Sequence, residues 1–227
     1  MSLGHGASIV RSGLVLHLDA ANRKSYPGSG VSWNDLSGAG NNGTLVNGPT
    51  YNGANNGYLT FDGTNQYLNT SHNIEAATSA NLQSFCSWLY GTSTNNSFFG
   101  SGASSAGQFH LILNFQDATQ IRFGESNYGG GIPNDQNNLA AVASNPTWNY
   151  ACVVKTAVST FDVYFNGSKV ITSATKMASN PAPFSLGRWW VGRVIPASIS
   201  NVSIYNRALT PLEIQQNFNA LRGRYGV

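Results

Sequence analysis

The chain has 227 residues, 41% hydrophobic and 11% aromatic, which suits one domain with a sizeable core and excludes a disordered chain. Charged residues make up only 9%, against roughly 25% in an ordinary domain, so solubility falls to neutral polar groups, with 27 Asn beside 25 Gly. The net charge of +3 is uneven, since residues 155–227 hold eight Lys/Arg and two acids whereas residues 1–154 hold four and seven. These cations are scattered singly through predicted strands, which argues against the gathered basic surface that nucleic-acid binding requires.

Residues Met1–Gly6 have neither the basic nor the apolar region of a secretory signal, so synthesis in a cytoplasm without a signal peptide is expected. No apolar run approaches the ~20 residues of a membrane span. Gly13–Ala20 reads as the first strand. Four Asn-Gly pairs follow at 42–43, 47–48, 52–53 and 56–57, a composition that favours two-residue hairpins because both residues tolerate positive φ. Tyr58–Gly63 and Tyr67–Thr70 read as a hairpin. Leu82–Tyr90 is a core strand, and Gln108–Phe115 alternates Phe109, Leu111, Leu113 and Phe115 on one face. Ile121–Phe123 is short, and 124–147 is the longest loop.

Trp148–Lys155 and Thr160–Phe165 are strands joined by a short turn, and Asn166-Gly167 closes another hairpin. Cys86 and Cys152 each sit inside an apolar strand and are expected as buried free thiols, given no export signal. Ile199–Tyr205 alternates as the last strand. It leads to a helix start marked by Thr210 as N-cap, Pro211 at the first helical position and Glu213 closing a T-x-x-E capping box, with Leu209 and Ile214 as the staple pair. Ile214, Phe218 and Leu221 give the helix one apolar face, and Gly223 is its expected stop. Short strands and recurrent turn residues, with no linker or repeat, predict a single all-β domain over 1–227.

Several motifs resemble, in order, those of laminin-G-like domains of the concanavalin A-like lectin/glucanase superfamily. They are Trp33–Gly38, Gly43–Leu45, Leu59–Gly63, Val163–Gly167, Leu186–Arg188 and Ile204–Thr210, and the match runs from about Gly13 to Leu221. The resemblance implies a jelly-roll sandwich of two antiparallel sheets with a short C-terminal helix. Leu18–Asn22 with Tyr26–Gly30 is also similar to versions in structural proteins of tailed bacteriophages.

The superfamily includes glucanases, and retaining hydrolysis needs two carboxyl groups about 5–5.5 Å apart. Those enzymes place acids at alternate positions of one strand. Here no two of the nine acids lie within seven positions of each other, and the four histidines are isolated, so no enzyme activity and no catalytic residue is expected. Laminin-G-like domains often hold calcium; Asp19 and Asp62, at strand ends, and Asp117 and Asp135, in loops, have the chemistry for it. Without a dense acidic loop, turn residues bonding their own backbone are the preferred reading, with no cofactor and no metal ligands assigned.

Two functions remain. In the first, the chain is a non-catalytic structural or adhesive component of a phage particle: a capsid decoration, head-fibre or tail protein, localised to the virion. Its partners are then other virion proteins or copies of itself, as a homo-oligomer. The alternative is a carbohydrate-binding module for host-surface glycans, with Trp189, Trp190, Asn127 and Tyr128 as ligand-binding residues. Consecutive strand residues face opposite ways, so one of the two Trp is assigned to the core and only the other can form a platform, the alternative being that both are packed.

Overall fold

The computed structural model describes residues 8–75, 79–90, 96–101, 108–113, 120–126, 138–141, 147–175, 182–190, 193–194 and 196–227. The strands are β1 (Leu14–Asp19), β2 (Ser32–Trp33), β3 (Gly43–Val46), β4 (Thr50–Asn52), β5 (Tyr58–Asp62), β6 (Tyr67–Ile74), β7 (Ser84–Tyr90), β8 (Asn96–Ser101) and β9 (Gln108–Leu113). They continue as β10 (Gln120–Ser126), β11 (Asn138–Ala141), β12 (Trp148–Ala157), β13 (Thr160–Phe165), β14 (Ser168–Thr175), β15 (Ala182–Leu186), β16 (Arg188–Trp190), β17 (Arg193–Val194) and β18 (Pro196–Tyr205), followed by helix α1 (Pro211–Tyr225). The first sheet has the order β14-β13-β12-β7-β18-β5-β4, with β1 also on β18, and the second runs β11-β10-β9-β8-β15-β6-β3-β2; every recorded pairing is antiparallel. The expected sandwich of antiparallel sheets with a C-terminal helix is the observed one.

β18 is the hub. One edge pairs with β7 along Ser198–Tyr205; the other pairs first with β5 and then with β1. The change of partner falls at a bulge on Ser200, whose hydroxyl donates to the Gly57 carbonyl at 2.7 Å while its own carbonyl accepts the Ala20 N–H at 2.9 Å. Gly57 has a φ of +134°, and a Cβ there would stand 2.6 Å from the Ala20 carbonyl oxygen, so only glycine lets the three segments meet. The bulge keeps both Ile199 and Val202 facing the second sheet, in one core with Leu16, Leu59, Phe61, Phe85, Phe123, Phe184 and Leu186.

The outer face of the first sheet is buried as well. α1 lies over it, and Trp88 stacks on Tyr225 at 4.3 Å and on Phe218 at 5.5 Å, with Trp148 4.9 Å from Tyr225. A buried relay joins three distant segments: Tyr205 Oη donates to the Val10 carbonyl, Val10 N–H to Asn217 Oδ1, and Asn217 Nδ2 to Tyr205 Oη, all within 3.1 Å. The capping box is present, with Thr210 accepting from the Glu213 N–H and Glu213 accepting from the Thr210 N–H. The helix does not stop at Gly223. It runs to Tyr225 and ends on Gly226 in the left-handed region at φ +71°, because Tyr225 docks between Trp88 and Trp148 and holds the last turn.

Other expectations are corrected. β5 and β6 are not a hairpin; they belong to opposite sheets. Asp62 accepts the backbone N–H groups of Thr64, Asn65 and Gln66, and that turn carries the chain across the sandwich. Asn47-Gly48 likewise joins β3 to β4 in the other sheet, whereas Asn166-Gly167, with φ of +49° and +83°, closes the β13–β14 hairpin as expected. Cys86 and Cys152 are joined by a disulfide rather than being thiols. The register sets them directly opposite each other in the β7–β12 pair, on the face beneath α1, where two sulfurs come within bonding reach. Within the expected loop 124–147 the structure adds β11; residues 127–137 and 142–146 of that loop lie outside the described residues, as do Phe115 and the side chains of Phe109 and Leu113.

Candidate functional site

With the first sheet closed by α1, the second sheet carries the remaining broad face. Outward positions on β3, β6 and β15 alternate with core positions and carry no charge: Thr44, Ser71, Asn73 and Pro183 are exposed, and Val46, Tyr67 and Asn69 are half-buried. The face ends at the small β16–β17 sheet, in which Arg188 pairs with Val194 and Trp190 with Arg193. Gly187 makes the step from β15 to β16 at φ +69°, with Phe61 so near that a Cβ would stand 2.9 Å from its ring.

Arg188 ties this hairpin to the sheet. Its guanidinium carbon lies 4.2 Å from the centroid of the Tyr67 ring, and Nη2 donates to Asn69 Oδ1 at 3.0 Å and to Ser185 Oγ at 3.2 Å. Ser185, fully buried, also donates to Asn69 Oδ1 at 3.2 Å. Burial lowers the Arg188 pKa from its ordinary value, and the Tyr67 hydroxyl works against that shift. Held between the Tyr67 ring and the Asn69 and Ser185 oxygens, the guanidinium acts as a clamp at the base of the hairpin.

Of the four residues singled out in the sequence, Trp189 and Trp190 fall on β16, next to this clamp, although their side chains are outside the described residues. Asn127 and Tyr128 lie outside the described residues altogether. Tyr67, Asn69, Ser185 and Arg188 were not singled out for binding. A signal for part of the group was present, since Tyr67-x-Asn69-x-Ser71-x-Asn73 is a period-two run of polar and aromatic residues on a strand.

The described carboxylates are engaged in the fold. Asp19 takes a two-point contact from Arg224, at 2.9 and 3.2 Å, and accepts the Ala21 N–H. Asp35 accepts from the backbone of His17, Ser37 and Asn41; burial raises its pKa, but these bonds outweigh it and leave a net lowering. Asp62 is lowered by the Thr64, Asn65 and Gln66 N–H groups of its turn. Asp162 pairs with Lys169 at 2.6 Å and Glu213 with Arg207 at 2.6 Å, while Glu75 accepts the Ser79 hydroxyl. Asp117 and Asp135 lie outside the described residues, as does the Glu125 side chain. Among the described residues no group of three or more His, Cys, Asp or Glu is placed to hold a metal ion. No described helix is long and apolar enough to cross a membrane.

Comparison with known proteins places this geometry. A laminin-G-type family model, described as concanavalin A-like lectin/glucanases superfamily, matches residues 62–215. No curated protein sequence matches the chain. Among solved structures, the binding domain of botulinum neurotoxin DC in complex with rat synaptotagmin II superposes with a TM-score of 0.67 at 15% identity, over 93% of this chain and 52% of that one. A botulinum neurotoxin type C structure, of a toxin whose cell entry depends on interaction with two ganglioside molecules, gives 0.66 at 12%, over 93% and 52%. A Trypanosoma rangeli sialidase in complex with the inhibitor DANA gives 0.67 at 16%, over 97% and 35%. The chain thus spans about half the length of the neurotoxin chains and about a third of the sialidase, and at these identities the likeness is one of fold.

Proposed function

Since the chain belongs to the concanavalin A-like lectin/glucanase superfamily, we propose that it is a non-catalytic, lectin-like module that binds carbohydrate on the outer face of its second sheet. The observation that carries this reading is the combination of an open row of amide and hydroxyl side chains, Thr44, Asn69, Ser71 and Asn73, with a Trp-bearing hairpin clamped at its end by Arg188. Neutral amides match sugar hydroxyls in hydrogen bonding, and aromatic faces match the C–H faces of pyranose rings. Two of the solved structures that share the fold are of a toxin whose cell entry depends on two ganglioside molecules and of a sialidase holding an inhibitor; this agrees with the reading at the level of fold.

The non-catalytic part of the reading is supported by the carboxylates: Asp19, Asp35, Asp62, Asp162 and Glu213 serve turns, ion pairs and a helix cap. A glycan screen of the purified chain tests the binding role. Saccharide binding that weakens on Asn69→Ala or Asn73→Ala supports it, and binding indifferent to both substitutions refutes the assignment to this face.

A second reading, favoured by the uncharged outer face of the second sheet, sets the module on a phage particle as a structural or adhesive component. The Cys86–Cys152 bond suits oxidising surroundings in general, virion surfaces among them. Self-association through broad neutral faces would bury about 1,200–2,000 Å² and depend weakly on salt. Sedimentation at low and high salt checks it: a salt-insensitive oligomer supports the particle role, and a monomer at both removes its self-assembly.

A further inference from the structure

A trough of about 440 Å³ opens on the opposite side of the molecule, between α1, β1 and the turn after β2. His17 forms its floor, Ile9, Leu36, Ala220 and Leu221 give it apolar walls, and Arg11, Lys24, Asn22 and Ser8 complete the lining. Leu16 and Leu18 enter the core between the sheets, so the alternation of β1 turns His17 toward the helix side. There His17 Nδ1 is hydrogen-bonded to Ser203 Oγ at 2.9 Å and the backbone N–H is held by Asp35, which fixes the ring in place.

The charge on this trough is one-sided. Arg11 and Lys24 are exposed cations with no carboxylate partner among the described residues, and no acid lines the trough. The two carboxylates nearest His17 are committed elsewhere, Asp19 to Arg224 and Asp35 to the backbone of its own turn. Burial lowers the His17 pKa, which keeps the floor neutral and confines the positive charge to the rim. Apolar walls topped by two unpaired cations match a ligand with a compact apolar body and one carboxylate.

We infer that this trough is a second ligand site, distinct from the sheet face and its hairpin, that accepts a small amphiphilic organic carboxylate. The carboxylate lies between Arg11 and Lys24, and the apolar body rests on Leu36 and Leu221. A free short-chain acid and the C-terminal residue of a peptide share this chemistry. The full chain, uniformly labelled with nitrogen-15, is titrated with hexanoate, N-acetyl-leucine, hexan-1-ol and acetate while amide cross-peaks are followed.

Hexanoate or N-acetyl-leucine should move the peaks of His17, Leu36 and Leu221, and the tighter of the two identifies the source of the carboxylate. Hexan-1-ol, which lacks the charge, and acetate, which lacks the apolar body, should each bind at least tenfold more weakly. The Arg11→Gln/Lys24→Gln variant alters two exposed side chains, and it should lose at least tenfold in affinity with its denaturation midpoint unchanged. Equal binding of hexanoate and hexan-1-ol, undiminished binding by that variant, or no peak movement with either acid overturns the inference. The Arg11→Gln/Lys24→Gln variant should bind any glycan as the parent does, which separates this outcome from that of the glycan reading.

Discussion

Glu213→Gln probes the junction between the last strand and the helix. The Glu213 carboxylate accepts the Thr210 N–H at 2.9 Å and Arg207 at 2.8 and 2.6 Å, while Arg207 Nε reaches back to the Ser12 carbonyl at 3.0 Å. Glutamine retains an acceptor for the cap but loses the ion pair. With those side chains 26% and 29% exposed, the pair contributes about 1 kcal/mol. The Arg207 bond is the chief cause that holds the Glu213 pKa at about 2, below its ordinary 4.5. Because the folded pKa is depressed, the stabilisation is complete above the unfolded value, shrinks as pH falls below 4.5 and is gone below about 2. Urea unfolding of parent and variant at pH 7, 5, 4 and 3 should therefore show a gap of about 1 kcal/mol at pH 7 and pH 5 that narrows at pH 4 and further at pH 3. A gap that holds constant from pH 7 to pH 3, or that is absent at pH 7, refutes the assignment.

Three further outcomes follow from the fold and the site. Thiol titration of the unfolded chain without reductant should find no free cysteine, and Cys86→Ser/Cys152→Ser should cost about 2–4 kcal/mol in a denaturant melt. Phe218→Ala, which removes a ring stacked on Trp88, should cost about 3–5 kcal/mol by the same measurement. Assays on β-glucans, galactans and sialylated substrates should detect no turnover; hydrolysis abolished by replacing two of the acids would reverse the non-catalytic reading.

The parts legible in the sequence are those written in local chemistry. Thr210, Pro211 and Glu213 place the helix start because a cap is made within one turn. Asn166-Gly167 places its hairpin for the same reason, since both residues supply positive φ. Long-range register is where local reading fails. Tyr225 extends the helix beyond Gly223 only because Trp88 and Trp148 wait on strands far away in sequence. Cys86 and Cys152 are brought opposite each other by a pairing that spans 66 positions, which no local pattern encodes. The same holds at the site. Trp189 and Trp190 stood out as an aromatic pair, but the Arg188 clamp joins β16 to β15 and β6, with Asn69 119 positions away.

The central claim, that a sugar is held at the hairpin end of the second sheet, is tested most directly by one glycan array probed in parallel with the parent chain and with whichever of the single variants Trp189→Ala and Trp190→Ala keeps the parent's denaturation midpoint. The account predicts saccharide binding by the parent and at least a tenfold weaker signal from the variant. A parent that binds no saccharide, or a variant that binds as well as the parent, contradicts it.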